Sequence, residues 1–455
     1  MPLKFVFGPS GSGKSTYLYQ HVIEESEKYP LKNFIVLVPE QFTMQTQKDL
    51  VSMHPRHGIM NIDVLSFARL AYRVFEETGT KQMQVLDDEG KNLILRKIAG
   101  DYENKLTVLK GNIKKLGYIS EVKSVISEFT QYDIGEEEMD EMLDHLDEDS
   151  RLYYKLKDIR LLYEGFQDYL RERYITKEEL LDVLNSQVKE SELLKNSVVV
   201  LDGFTGFTPV QNRLILELMR CCKEVWVTVT MDERENPYAY KHPYQLFGLS
   251  KQMVTTLVRM AGEDHIEVEE PVCLYGYPVK RFEKNQELAF LERNIFRYGS
   301  GRYDKAVENL EIHAAGNPRQ EADAVAEGIR RLVRKDQYRY RDIGVIVSDM
   351  NVYGDYLEQA FENYGIPVFM DHKRSILLNS FVEYIRSLLN MAEKNFSYES
   401  VFRFLRTNLA GFACEEVDEL ENYVLGLGIR GYKGWQNRWI RRLKGMEEEE
   451  LDRLN

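Results

Sequence analysis

The sequence predicts an α/β protein built on parallel β-sheets, and three observations lead to that prediction. From Leu3 to about Phe75, short apolar runs alternate with stretches of helical periodicity, which is typical of a doubly wound parallel sheet. A glycine-rich motif of the kind that binds phosphate lies between the first apolar run and the first helical stretch. A further alternation of this kind begins near Glu311. A chain of 455 residues is too long for one hydrophobic core, so several domains are expected.

The first elements follow one another closely along the chain. The apolar residues 3–7 predict a strand, and the periodicity of residues 16–25 predicts a helix. Residues 34–38 form a continuous apolar run, as expected of a buried parallel strand, and a helix is predicted from Met44. Residues 62–65 predict a third strand, which is again followed by helical periodicity.

Residues 8–15 read Gly-Pro-Ser-Gly-Ser-Gly-Lys-Ser and complete the phosphate-binding pattern G-x-x-x-x-G-K-[ST]. Glycines allow the backbone N–H groups of such a loop to turn toward phosphate oxygens, and the following helix adds the positive end of its dipole. Lys14 can reach the β- and γ-phosphates, and the Ser15 hydroxyl can bind Mg²⁺, so ATP and Mg²⁺ are the expected ligands. A chance match in a Gly/Ser-rich turn is the alternative. The predicted nucleotide-binding residues are Gly8, Pro9, Ser10, Gly11, Ser12, Gly13, Lys14, Ser15 and Thr16.

Helical periodicity and high charge density replace the strand pattern over residues 88–193, which predicts a helical insertion without strands. Strand character returns at residues 197–202 and 225–230. Asp202 ends the first of these strands, where a carboxylate can hold the water shell of Mg²⁺ opposite the serine of the phosphate-binding loop. Capping of the following turn or helix is the other explanation for Asp202.

A second α/β domain is predicted after the first. Residues 311–315 start this unit, and strands at residues 343–347 and 367–370 alternate with helices at residues 319–334 and 353–364. Helical periodicity dominates after residue 396 and no closing feature follows, so we expect the chain to stop inside a domain. The predicted domains are residues 1–87 with 194–298, a helical insertion at 88–193, a second α/β domain at 299–395, and the start of a further helical insertion at 396–455.

Composition restricts the classes of function. The formal net charge is −14, so contact with DNA must come from local basic patches or from a partner. No apolar run approaches the roughly 18–20 residues of a membrane span, and the N-terminus lacks the pattern of a signal peptide. The cysteines, Cys221, Cys222, Cys273 and Cys414, form no C-x-x-C pair, which predicts neither a metal site nor a disulfide framework. A cytoplasmic location without membrane contact is therefore expected.

The order of these motifs resembles that of UvrD-type superfamily 1 helicases, which contain two RecA-like P-loop domains with helical insertions. Residues 84–88 are similar to the motif that opens their first insertion, and residues 202–211 are similar to their D-E-F-Q-D-T-N-x-x-Q motif. A narrower resemblance is to the AddB family, the B subunits of bacterial AddAB helicase/deoxyribonucleases. The motifs that carry it lie at residues 8–15, 38–41, 201–204, 288–292 and 423–431.

The resemblance to AddB implies a helicase-like subunit that is not itself the motor. It implies a role in repairing DNA double-strand breaks by homologous recombination, an AddA-like partner, and contact with single-stranded DNA or a duplex end. It also implies recognition of the short DNA sequence Chi, which is a function of AddB in this family. The RecB-type nuclease domain and the iron–sulfur cluster of the family would lie beyond Asn455, so no catalytic nuclease residue is expected in this chain.

Departures from working superfamily 1 motors predict that ATP is bound but hydrolysed poorly. Gly203 stands where the motors carry the Glu that polarises the attacking water. Residues 231–236 differ from the motif that senses the γ-phosphate, and no N-Y-R-S arginine motif is recognisable between Lys241 and Arg297. Removing groups that activate water and stabilise the transferred phosphoryl group should cost several decades of rate. An active helicase, an unrelated P-loop kinase and a structural subunit with a vestigial loop remain alternatives.

Contacts with DNA are predicted at two places. Loops that face the strand in motors of this fold contain Gln41, Thr43, Ser66, Phe204 and Phe207, and the phenylalanines could stack on bases or pack beneath the loop. Residues 430–442 interleave basic and aromatic side chains, which suits nucleic acid or a partner interface. The candidates in this segment are Arg430, Lys433, Trp435, Arg438, Trp439 and Arg441.

Overall fold

Two compact units make up the chain, Met1–Glu311 and Ile312–Asn455, and each is described by itself. The computed structural model describes residues 2–80, 84–113, 115, 117–171, 174–297, 299, 301–371 and 376–455. The predicted domain limit at residue 298 lies outside the described residues. Of the helices described, none is long and apolar enough to cross a lipid bilayer.

The strands of the first unit are β1 (Leu3–Gly8), β2 (Asn33–Leu37), β3 (Ile62–Leu65), β4 (Gln84–Val85), β5 (Tyr174–Ile175), β6 (Ser197–Leu201), β7 (Glu224–Thr230) and β8 (Val272–Cys273). Six of them form a sheet in the spatial order β3-β2-β6-β7-β1-β8, and all its pairings are parallel. This confirms the predicted α/β class and the strands expected before residue 231. Two short strands, β4 and β5, form a separate parallel ladder.

Helices cover both faces of the sheet because side chains along each strand point alternately to opposite sides. Phe5 and Phe7 of β1 belong to the apolar core on one face, and Val6 between them belongs to the core on the other face. The helices of this unit outside the insertion are α1 (Lys14–Lys28), α2 (Thr43–Met53), α3 (Phe67–Thr78), α8 (Glu179–Gln187), α9 (Glu192–Lys195), α10 (Pro209–Cys221), α11 (Gly248–Glu263) and α12 (Gln286–Asn294).

The insertion has a hydrophobic core of its own, which includes Leu95, Leu162 and Phe166. Its helices are α4 (Asp88–Asp101), α5 (Tyr118–Gln131), α6 (Glu136–Asp144) and α7 (Arg151–Leu170). Two details differ from the sequence prediction. Strand β5 lies inside a stretch predicted to contain no strand, because a two-residue ladder is too short to produce a periodic pattern. Helix α8 packs in the core of the sheet through Leu180 and Leu184, not in the core of the insertion.

An ion pair and a carboxylate hold the insertion together and attach it to α8. The Lys91 ammonium donates to the Glu178 carboxylate at 2.7 Å and to the Ser127 hydroxyl at 3.3 Å. Burial acts to raise the pKa of Glu178, but the hydrogen bond and charge of Lys91 outweigh it, and the pKa is lowered. Asp158, which is 2% exposed, accepts backbone N–H bonds from Thr107, Val108 and Leu109.

The second unit contains helices only among its described residues, and the second sheet predicted there is wrong. Residues 311–315, 343–347 and 367–370 carry no ladder of backbone hydrogen bonds, which a strand requires. Most side chains of these segments are exposed to solvent on both sides of the backbone; Ile346, for example, is 99% and Phe369 89% exposed. The helices are α13 (Pro318–Lys335), α14 (Met350–Asn363), α15 (Ser380–Glu393), α16 (Tyr398–Leu405), α17 (Cys414–Leu427), α18 (Tyr432–Gln436) and α19 (Glu448–Leu454).

Candidate nucleotide site

The glycine-rich loop turns tightly between the end of β1 at Gly8 and the start of α1 at Lys14. Gly11 and Gly13 have φ angles of 84° and 94°, a left-handed conformation that favours glycine. Among the described residues, no oxygen accepts the backbone N–H groups at the start of α1, those of Lys14, Ser15 and Thr16. These N–H groups are open because the first N–H groups of a helix have no partner within it, and such groups are suited to receive an anion.

Lys14 lies against its own loop. Its ammonium donates to the carbonyl oxygens of Gly8 at 2.9 Å and Pro9 at 3.0 Å. Burial lowers the pKa of Lys14 to about 8; the carboxylate of Asp202 opposes this effect, and the guanidinium of Arg281 adds to it. An anion bound in the loop would therefore stabilise the charged form of this side chain.

Asp202 directly follows β6 and meets the loop because the carboxyl ends of parallel strands share one edge of the sheet. Its Oδ1 accepts hydrogen bonds from Ser15 Oγ at 3.1 Å and from Thr228 Oγ1 at 2.6 Å, and its Oδ2 accepts one from the Tyr19 hydroxyl at 2.7 Å. Capping does not explain Asp202, since Thr208 caps α10 through Gln211.

Tyr19 and Thr228 were missed by the sequence analysis, although signals for both were present. Tyr19 lies four residues after Ser15 and therefore on the same face of α1. Burial, followed by the charge of Asp202, raises the pKa of Tyr19, so its hydroxyl is a donor. Thr228 is the polar residue in the buried, otherwise apolar stretch 225–229 of β7, the strand that pairs directly with β6.

The loop, the end of β6 and the end of β7 surround a cleft of about 460 Å³. Lys280 and Arg281, on a short 3₁₀ helix (Lys280–Phe282) after β8, line its far side. No N-Y-R-S motif is recognisable in this stretch of the sequence, but an arginine from it, Arg281, lines the cleft. Among the described residues, Asp202 is the one carboxylate that lines the cleft.

Two other positions at which the sequence departs from working superfamily 1 motors are Gly203 and the segment 231–236. Gly203 has a φ of 79°, and a Cβ atom there would lie 3.7 Å from Cδ of Pro39. Asp232, in the segment that replaces the γ-phosphate sensor, pairs with Arg234 and Arg297. The hydrogen bond from Arg234 lowers the pKa of Asp232 to about 2, so this carboxylate is ionised and forms ion pairs with the two arginines.

The donors present fit ATP and Mg²⁺. Open N–H groups and the cationic side chains of Lys14, Lys280 and Arg281 suit phosphate oxygens, and the oxygens of Ser15 and Asp202 are ligands of the kind Mg²⁺ prefers. Elsewhere in the described part of the chain, no group of three or more His, Cys, Asp or Glu residues is placed to hold a metal ion.

The DNA candidates of the first unit differ in their surroundings. Gln41 is exposed, whereas Thr43 and Ser66 are buried and their hydroxyls cap helix ends, by donating to Glu40 O and by accepting from Arg69 N, respectively. Phe204 and Phe207 pack against Phe67, with ring centroids 5.4 and 6.4 Å from it. The alternative of packing beneath the loop therefore describes the two phenylalanines.

The candidates of the second unit also separate into two groups. The indole N–H of Trp435 donates to Phe396 O and that of Trp439 to Gly434 O, and both rings pack against an apolar core. Arg438 pairs with Asp452 at 2.7 Å. The exposed cations Arg430, Lys433, Arg441 and Arg442 have no acidic partner among the described residues.

A family model described as "ADDB, N-terminal" matches residues 5–292. Three similar relatives are B subunits of ATP-dependent helicase/deoxyribonucleases. The chain is 44% identical to the one from Lachnoclostridium phytofermentans, 36% to that of Caldanaerobacter subterraneus subsp. tengcongensis and 32% to that of Clostridium acetobutylicum. Each match covers 100% of this chain but only 39–40% of the relative. The chain therefore spans about two fifths of the length of these relatives.

Proposed function

Since the chain belongs to the AddB family, we propose that it forms part of the B subunit of an AddAB-type helicase/deoxyribonuclease. The whole enzyme would prepare double-strand breaks for homologous recombination in the cytoplasm, with an AddA-like subunit as the motor. Chi recognition, the nuclease domain and the iron–sulfur cluster are assigned to the whole subunit, of which this chain is about two fifths. The contribution of this chain is then to bind nucleotide and to contact DNA.

The hydrogen bond between Ser15 and Asp202 carries the nucleotide proposal. It joins the start of α1 to the end of β6, and so brings together the hydroxyl and the carboxylate that hold Mg²⁺ in RecA-like P-loop proteins. We assign the sheet unit to that class. Ser15 and Asp202 would hold the ion, whose positive charge would offset the negative charge of the phosphate groups.

We expect this site to hold ATP and to hydrolyse it slowly. Both oxygens of Asp202 already accept hydrogen bonds from hydroxyl groups, and Gly203 offers no side chain to orient a water molecule. General bases must lie within hydrogen-bonding reach of the proton they remove, and no second carboxylate lines the described cleft. Bound ATP would then act as a lasting ligand of the subunit.

Calorimetric titration of the chain with Mg-ATP tests the binding proposal. Lys14→Ala should weaken binding at least about tenfold, which corresponds to ~1.4 kcal/mol. Lys28→Ala is the matched control, because it removes an exposed lysine at the opposite end of the same helix. Equal affinities of the wild type and Lys14→Ala would contradict a functional loop and favour a vestigial one.

Steady-state ATP turnover tests the expectation of slow hydrolysis. The rate should stay far below the ~1–100 s⁻¹ of competent phosphoryl-transfer enzymes, and single-stranded DNA should not raise it. A DNA-stimulated rate in that range that is lost in Lys14→Ala would instead identify an active helicase motor.

For DNA, we propose contact through the unpaired cations of residues 430–442 of the second unit. Exposed arginines without acidic partners can bind phosphates without first breaking an ion pair, which distinguishes Arg430 and Arg441 from Arg438. The tryptophans of the segment are packed and hydrogen-bonded, so we assign them to its folding.

Salt-dependent binding of single-stranded DNA tests this proposal. Changing Arg430 and Arg441 together to Ala should weaken binding and reduce the slope of log affinity against log salt by about one unit for each phosphate that is no longer bound. Arg438→Ala should change both quantities less, because Asp452 already neutralises this side chain. Unchanged affinity and slope in the double variant would assign the segment to a protein interface.

A further inference from the structure

The loop after β8 lies directly on the glycine-rich loop. The backbone N–H of Arg281 donates to the Gly11 carbonyl at 3.0 Å. A Cβ atom at Gly11 would lie 2.8 Å from Cβ of Arg281, and one at Gly13 would lie 3.4 Å from Cδ of Lys280. The two loops are more than 260 residues apart in sequence, and they approach this closely because position 11 is glycine; at position 13 a Cβ atom would make only an ordinary van der Waals contact.

This contact concentrates positive charge without neutralising it. The side chains of Lys280 and Arg281 are exposed at the cleft, and neither has an acidic partner among the described residues. Arg281 also lies close enough to Lys14 for the two positive charges to repel each other. Cations held together in this way are stabilised by an anion of high charge.

The position of Arg281 beside Lys14 determines which phosphate groups of a nucleotide its guanidinium would contact. In the P-loop pattern the lysine reaches the β- and γ-phosphates, so a guanidinium beside Lys14 faces the same terminal groups. A guanidinium can donate two parallel hydrogen bonds to one phosphate, which an ammonium cannot match in geometry. A diphosphate lacks the terminal group that such a contact would use.

We propose that Arg281, supported by Lys280, binds the terminal phosphate and makes this site prefer a nucleoside triphosphate over a diphosphate. The inference rests on the proposed nucleotide site and adds its specificity. Arg281 would thus report whether a γ-phosphate is present, in a site where the usual sensing motif is replaced and Asp232 is bound to arginines.

Competition titrations with Mg-ATP and Mg-ADP on the full chain test this inference. Arg281→Ala should weaken ATP about tenfold but ADP no more than about threefold, so the ratio of the two affinities falls. Arg281→Gln, which keeps the length of the side chain, should do the same. Lys284→Ala removes an exposed lysine of the same segment that does not line the cleft, and should leave both affinities unchanged.

The possible results separate the two proposals. If the wild type binds ATP and Lys14→Ala weakens it, but Arg281→Ala and Arg281→Gln keep the ATP-to-ADP ratio, the nucleotide site stands and the role of Arg281 is overturned. If the wild type binds neither nucleotide, both proposals fail together. Equal thermal midpoints of wild type and variants establish that the fold is intact.

Discussion

Gly203 offers the sharpest test of how the backbone limits catalysis at this site. Its φ of 79° lies in the left-handed region, where a side chain costs about 1–2 kcal/mol per residue. Space is not the obstacle, because the nearest atom to a new Cβ is Pro39 Cδ at 3.7 Å, an ordinary van der Waals distance. Gly203→Ala and Gly203→Glu should therefore destabilise the sheet unit by a similar amount, and Gly203→Asn by less, since Asn tolerates this conformation.

Thermal unfolding and ATP turnover are the two measurements. A loss of about 1–2 kcal/mol should lower the midpoint by about 1.5–3 °C in a unit of this size, because the entropy of unfolding grows with the number of residues. Turnover by Gly203→Glu should remain far below ~1 s⁻¹, because the left-handed backbone does not place the new carboxylate as a motor places it. Unchanged midpoints would refute the backbone argument. Turnover near ~1 s⁻¹ would show that the carboxylate alone was missing.

Three further predictions concern the helical insertion. Lys91→Met should destabilise the protein by about 3–5 kcal/mol in denaturant unfolding, because it leaves the partly buried Glu178 carboxylate without its cation. Changing Glu178 to Leu in the same protein should recover most of this loss. The pKa of Glu178 is lowered in the folded protein, so the carboxylate contributes to stability at pH values above the ordinary Glu pKa of about 4.3. This contribution is lost as the pH falls through the pKa of the folded state. The difference in unfolding free energy between wild type and Lys91→Met should therefore narrow in acid and not in base. Asp158→Asn should cost about 2–3 kcal/mol, since the amide cannot replace a carboxylate that accepts N–H bonds from Thr107 through Leu109, and unchanged unfolding would contradict this role.

Local patterns were sufficient to predict the phosphate loop and five of the six strands in the sheet of the first unit, but not the two-residue strand β8. The apolar runs that form β1, β2 and β3 are short and flanked by helical periodicity, and Asp202 follows its strand as the motif order required. Parallel strands then bring their carboxyl ends to one edge, so the meeting of Ser15 and Asp202 follows from topology.

Contacts between distant loops were beyond the reach of the sequence. Nothing in residues 280–282 marks them as neighbours of Gly11, because the contact is a backbone hydrogen bond and a close approach without a motif. The opposite error occurred near Ile346 and Phe369, where apolar runs predicted strands. An apolar run indicates side chains that favour burial, but a strand also needs a neighbouring strand to pair with, and these runs have none among the described residues and stay exposed.

The ladder between β4 and β5 has a consequence for the order in which the chain can fold. It pairs Val85 with Ile175, so the helical insertion leaves and rejoins the sheet unit at neighbouring points. Strand β6 pairs with β2 across a long intervening stretch of chain. If the insertion has already formed its own core, the effective length of the loop to be closed is roughly halved, which lowers the loop-closure cost by about 0.6 kcal/mol. Early folding of the insertion would thus bring the two halves of the sheet together and speed their pairing.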